Sequence, residues 1–195
     1  MAVTGSFNTS EIVKGPLKIY LNAPLPADNA YLTLTAGVPA SGMLAGLTKS
    51  GAKITIKSST SSEEADELTA PFNTVISADE LSIEWEGWQM EDMTRLAFLA
   101  PNATPITTSG VADGLQFGGI LTIPSGAQPS VLAVGPLKSD PTKFLAVHLF
   151  KAVNDNGLGW DWTKKNSSSI SVKMVGQSVT TRTAGNQIGN VFKTL

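Results

Sequence analysis

Within "LSIEWEGWQMEDMTRLAFLAP" (81–101) the spacing of apolar residues changes once, and that change limits what the chain can fold into. Leu81, Ile83 and Trp85 alternate with Ser82, Glu84 and Glu86, which is the period of a strand with one buried face. After Gly87, Met90, Met93 and Ala97, joined by Leu96, recur at three- and four-residue spacing. Glu91 and Asp92 stand where a helix dipole favours acid, and Pro101 lies just past the other end. The pattern predicts a strand that runs into a short amphipathic helix, about 89–99, laid over the apolar face of a sheet.

The rest of the chain reads almost entirely as strand. "GPLKIYL" (15–21), "AYLTLTA" (30–36) and "AKITIKS" (52–58) alternate between Gly, Pro, Asn and Asp punctuation. In the last of these Ile54 and Ile56 share one face, and Lys53, Thr55 and Lys57 the other. "LQFGGILTIP" (115–124), "SVLAVGP" (130–136), "FLAVHLFKAV" (144–153) and "SSSISVKMVGQSVTTRT" (167–183) continue the same grammar. Strands in sequence with one helix and no regular βα alternation predict a mainly antiparallel β-sandwich or barrel with one flanking helix. "STSSEEADELTAPFN" (59–73) shows neither period and predicts an exposed loop, the end of a long β-hairpin arm. Residues 101–114 are expected to be a loop that could separate two halves of one fold. A single domain over 1–195 is expected, with extended segments at 1–14 and 184–195.

Charge is unevenly placed. From Ser58 to Thr94 there is no Lys or Arg, yet ten of the sixteen acids fall there: Glu63, Glu64, Asp66, Glu67, Asp79, Glu80, Glu84, Glu86, Glu91 and Asp92. From Leu137 onward eight bases meet three acids. Complementary blocks suit a protein that packs against copies of itself. A nucleic-acid binder should show a basic stripe with interleaved aromatics, and the best-patterned polar face here is acidic. Cysteine is absent, so no disulfide framework or thiolate metal site exists. No run reaches the roughly 18 apolar residues of a membrane span, and "MAVTGSFNTSEIVKG" lacks the basic start and apolar core of a secretory signal. A soluble protein is expected.

Catalytic patterns are sparse. His148, the single histidine, sits between apolar neighbours in "LAVHLFKA" and reads as structural rather than as a base. "GMLAGLTKS" (42–50) misses the spacing of a phosphate loop, and "GNQIGN" (185–190) that of a dinucleotide fingerprint. Glu84 and Glu86 share a strand face and would serve glycosidase chemistry only in a cleft. Trp160 and Trp162 in "NGLGWDW" would suit a sugar, a partner subunit or the sheet itself. No catalysis, cofactor or metal is expected.

The order of features resembles major tail tube proteins of long, flexible-tailed bacteriophages. The resemblance rests on "LAGLTKSGAKITIK", a turn and a Gly-led strand; on the acid-containing "SSEEADELTAPFN"; and on "LSIEWEGWQMEDMTRLAFL", a strand passing into a helix. It extends to "SVLAVGP", "FLAVHLFKAV" and "SSSISVKMVGQ", and so over about 13–178, more strongly in the first half; "NGLGWDW" and "TRTAGNQIGNVFKTL" have no assignable counterpart. It implies a virion protein made in the host bacterial cytoplasm. Its hexameric rings would stack into a tail tube, joined by tape-measure and tail-end or baseplate proteins, and pass double-stranded DNA without specific binding or any membrane role. On that reading 52–58 and 80–86 belong to the channel-lining sheet, Glu80, Glu84 and Glu86 face the lumen, and Glu63, Glu64, Asp66 and Glu67 reach an adjacent ring, with Lys164 and Lys165 as a basic counterpart. An acidic lining would repel DNA weakly over about 8 Å and keep it from sticking. The same acids also fit a solvated surface or pairing with Lys53 and Lys57 across strands. A monomeric carbohydrate-binding module using Trp160 and Trp162, an enzyme with paired carboxylates, and a phage head or decoration protein are the alternatives.

Overall fold

A computed structural model describes residues 17–46, 48–63, 73–87, 92–100, 102–118, 128–138, 140–159 and 169–194. In chain order the elements are β1 (Lys18–Leu21), β2 (Leu34–Thr35), β3 (Val38–Pro39), β4 (Met43–Leu44), β5 (Thr48–Glu63), β6 (Asn73–Gly87), α1 (Met93–Leu99), β7 (Ala103–Thr108), β8 (Val111–Phe117), β9 (Val131–Pro136), β10 (Phe144–Leu149), β11 (Ala152–Asn154), β12 (Ile170–Gly176) and β13 (Gly189–Lys193). They form an antiparallel β-sandwich with one helix. One sheet has the order β13-β10-β9-β1-β4 and the other β11-β12-β6-β5; β2-β3 and β7-β8 are separate two-stranded ribbons.

The core lies between the sheets because strand alternation turns one side chain in two inward. Ile19, Leu21, Val131, Ala133, Val147 and Leu149 come from the five-stranded sheet. They meet Leu81, Ile83, Trp85, Ile170, Val172 and Met174 from the four-stranded sheet. A second cluster, with Tyr20, Leu132, Val134, Ala146 and Phe192, lies on the opposite face of the five-stranded sheet beneath Leu32 and Leu34.

Several boundaries depart from the sequence expectation. The described helix spans Met93–Leu99 and is capped by Asp92, whose carboxylate accepts from the Arg95 backbone N–H at 3.1 Å. Its buried residues are Leu96 and Leu99, with Met93 partly buried against the core, so Ala97 is not the contact the spacing predicted. Met90 and Glu91 lie outside the described residues. The i, i+3 step of a two-turn helix is enough to seat Leu96 and Leu99 together.

The expected β-hairpin arm is present and its strands run further than the loop expectation allowed: residues 59–63 are strand, with Ser61 opposite Val75, Ser62 opposite Thr74 and Glu63 opposite Asn73, and residues 64–72 lie outside the described residues. Along the arm β6 has no second neighbour among the described residues, since β12 pairs with Ser82–Gly87. Backbone pairing alone defines a ribbon of this kind, and apolar alternation is not needed to specify it. The expected loop 101–114 is the β7-β8 hairpin, turned at Ser109 and Gly110, which both have positive φ (53° and 82°). That is the geometry of a type I′ turn. "FLAVHLFKAV" is two strands, because the chain crosses between sheets at Phe150 and Lys151. Residues 189–193, expected to be part of an extended tail, form β13 along β10. The expected N-terminal extension lies outside the described residues.

Candidate functional site

Two adjoining surfaces of the four-stranded sheet carry the features singled out in the sequence. The first is its outer, polar face. Because Leu81, Ile83 and Trp85 point into the core, Glu80, Ser82, Glu84 and Glu86 occupy the other side of β6. Antiparallel register sets Lys57 opposite Glu80, and Lys53 on β5 and Lys173 on β12 either side of Glu84. Lys53 Nζ lies 3.7 Å from Glu84 Oε2, and Lys57 Nζ 3.8 Å from Glu80 Oε2. Lys173 Nζ reaches Glu80 Oε1 at 3.9 Å and Asp155 Oδ2 at 3.1 Å. The hydrogen bond to Asp155 raises the Lys173 pKa most, and the charges of Asp155, Glu80 and Glu84 add to it.

The face is therefore a lattice of alternating sign, whereas the sequence reading stressed acid. Lysines from β5 and β12 flank the glutamates of β6, which the linear charge block conceals. Lys173 was not singled out in the sequence, although its place between Val172 and Met174 marks it as outward by the same alternation. The pairs are solvent-accessible, with side-chain exposures of 74% and 40% for Lys53 and Glu84, so each contributes at most about 1 kcal/mol. Of the acids assigned to the arm, Glu63 ends β5; Glu64, Asp66 and Glu67 lie outside the described residues, as do Trp160, Trp162, Lys164 and Lys165.

The second surface is the outer edge of β5, which has no partner strand on that side among the described residues. Ile54 and Ile56 face the same side as their partners Ile83 and Leu81, yet Ile54 is 37% and Ile56 67% exposed. On β5 the core takes in the partly buried Ala52 and leaves Ile54 and Ile56 exposed. A groove of about 530 Å³ opens beside them, lined by Ile56, Leu81, Ile188 and Val191 and rimmed by Lys57 and Asp79. Ser58 donates to Asp79 at 2.5 Å along this rim. Beyond Ser82 the β5-β6 hairpin continues as a two-stranded ribbon to Glu63 and Asn73. From Leu81 back to Asn73 this is about 30 Å of strand.

His148 is remote from the charged lattice in chemistry as well as in place. It is fully buried, neither ring nitrogen has a hydrogen-bond partner, and its ring meets Phe150 edge-on at 5.3 Å. Burial first, and the charge of Arg182 second, push its pKa down to about 4. No carboxylate or hydroxyl is hydrogen-bonded to it, as an acid–base triad would need. Among the described residues no group of three or more His, Cys, Asp or Glu could hold a metal ion, and no helix is long and apolar enough to cross a membrane. No known protein family matches the chain by sequence profile, and no curated protein sequence matches it.

Proposed function

We propose that the chain is a structural subunit that assembles with copies of itself through its sheet edges, as a tail-tube protein of a long-tailed bacteriophage: hexameric rings stacked into a hollow conduit for DNA. The observation that carries this reading is the β5-β6 hairpin. Its ribbon runs beyond β12 with no further strand beside it among the described residues, and its outer edge presents Ile54 and Ile56 to water. An isolated two-stranded ribbon is marginal in water, and an open apolar edge invites pairing. Both costs are offset if a second subunit lies along that edge.

In such a tube the charged face of the same sheet would line the channel. Alternating lysine and glutamate present no basic track, so few counterions would be released to hold a passing duplex, and sliding would meet little resistance. The tape-measure and tail-end partners belong to the same reading.

Negative-stain microscopy and sedimentation velocity of the purified chain at increasing concentration test it. Rings or hollow tubes are expected. A chain that stays monomeric at millimolar concentration, while the backbone amides of 56–63 and 73–81 are strongly protected from exchange, would refute the proposal, because the ribbon would then need no neighbour.

A further inference from the structure

The outer face of the five-stranded sheet, opposite the main core, is covered by the segment 23–40. Leu32 and Leu34 pack onto it, and Tyr31 stacks on Phe192 at 5.4 Å between ring centroids. Ser130 Oγ donates to the Ala23 carbonyl at 2.5 Å where the strap begins, and its other polar attachments gather around Arg182, Asp28 and Asn190. Arg182 donates to the carbonyls of Pro26 and Ala27, both at 3.1 Å, and Asn190 Nδ2 donates to that of Ala30 at 3.3 Å. Asp28 accepts from the Thr183 N–H at 2.9 Å, from the Thr183 hydroxyl and from Asn186 Nδ2 at 2.7 Å.

His148 lies on this same face. Ala146, two residues earlier on β10, and Leu132, its partner on β9, both belong to the cluster under the strap, and its partner on β13 is Asn190. The imidazole is fully buried, both its nitrogens lack hydrogen-bond partners, and Asn190 Oδ1 beside it lacks one too. A neutral ring is tolerated in such a place. An imidazolium would bring two charged donors into an apolar layer, and at most one of them could turn to Asn190 Oδ1.

The surrounding charges do not help. Arg182, whose guanidinium carbon sits 4.0 Å above the Phe150 ring, repels a second cation. Asp28, from the strap, already accepts from Thr183 and Asn186 and lies 3.7 Å from Arg182 Nε. Tyr20, two strands away on β1, carries a neutral phenol whose pKa burial raises.

We propose that His148 is a proton-operated latch: its protonation in mild acid frees segment 23–40 from the sheet while the core between the two sheets stays closed. The separation is possible because the cluster beneath the strap shares no residue with the inter-sheet core. The latch belongs to the single chain and holds whether or not copies assemble.

Hydrogen exchange read by mass spectrometry on the full chain at pH 7 and pH 5, corrected for intrinsic exchange rates, tests it. An imidazole that titrates at its ordinary 6.5 in the open strap and at about 4 in the closed one makes opening roughly twentyfold more frequent at pH 5. Peptides from 23–40 should exchange faster by that factor through openings that low urea barely changes, whereas β9 exchanges only by global unfolding, at a higher opening free energy at both pH values; in His148→Leu the pH effect should vanish. Equal strap exchange at both pH values, strap and β9 sharing one opening free energy and one urea dependence, or an effect that persists in His148→Leu would each overturn the proposal. Should His148→Leu not fold, the wild-type imidazole titration followed by NMR decides: its midpoint must match that of strap opening, and a mismatch of more than a pH unit rejects the latch.

Discussion

Replacing Ile56 by Ser should separate assembly from folding. Ile56 and Leu81 face each other across the β5-β6 ladder, as do Ile54 and Ile83, and all four share one face of the sheet. Leu81 and Ile83 belong to the core, at 9% and 0% exposure, whereas Ile56 retains 67% of its surface in water. Full burial of an isoleucine is worth roughly 1.5–3 kcal/mol, so about 1–2 kcal/mol is left to be gained at each subunit contact that covers Ile56. In the isolated chain Ile56→Ser should change stability by no more than about 0.5 kcal/mol, as for an ordinary surface site. Ile83→Ala, one rung away, should cost about 2–5 kcal/mol. Urea unfolding followed by tryptophan fluorescence gives the first comparison. Sedimentation velocity over a concentration series gives the second, where Ile56→Ser should raise the concentration for half-assembly about tenfold. An unchanged assembly midpoint would mean that the β5 edge is not an interface. A loss of more than about 2 kcal/mol in the isolated chain would mean that Ile56 is core after all.

Gly189→Ala should destabilise the fold by about 1–3 kcal/mol or more in urea melts, because its Cβ would stand 2.3 Å from the His148 carbonyl oxygen and 2.9 Å from Leu81 Cδ2; Gly159→Ala, with open space around it, should be neutral or slightly stabilising. A Lys53→Met, Glu84→Gln double-mutant cycle should give a coupling of about 0.2–1 kcal/mol that fades in 1 M salt, and a larger, salt-insensitive value would contradict the exposure of that face. The depressed His148 pKa means that the unfolded chain binds the extra proton between pH 6.5 and about 4. The contribution is therefore complete above 6.5 and lost as pH falls: unfolding free energy should drop by up to about 2 kcal/mol from pH 7 to 5 in wild type and stay level in His148→Leu. A level wild-type profile would show that the imidazole already meets water or a partner. Asp28 and Asp140, both held below the usual carboxylate range chiefly by hydrogen bonds from Thr183 and Thr142 respectively, lose their contribution only in stronger acid.

Alternation made the β class legible, together with the inward set Leu81, Ile83 and Trp85 and the outward set Glu80, Glu84 and Glu86, because period two is a local property of an extended backbone. The strand-to-helix change in 81–101 was readable for the same reason, although the contact fell to Leu96 and Leu99. Pairing of Lys53 with Glu84 could be anticipated as one option. The hairpin arm was readable, but not that its strand continues through 59–63, where no apolar stripe marks it; nor was β13 readable, which is defined by pairing with β10 about forty residues away in sequence.

Side-chain periodicity thus determined which faces exist along each strand, and tertiary structure decided what lies over them. Ile54 and Ile83 look alike in the sequence and stand opposite one another, but the core reaches only the second. Glu84 sits in an acidic run of the chain and, in space, between two lysines contributed by strands far apart in the chain. His148 reads as an apolar-neighbour histidine, and only its burial in the folded chain, with the Arg182 charge nearby, turns it into a group whose charge state matters. In each case burial and field depend on elements brought together from distant parts of the chain, which no local pattern encodes.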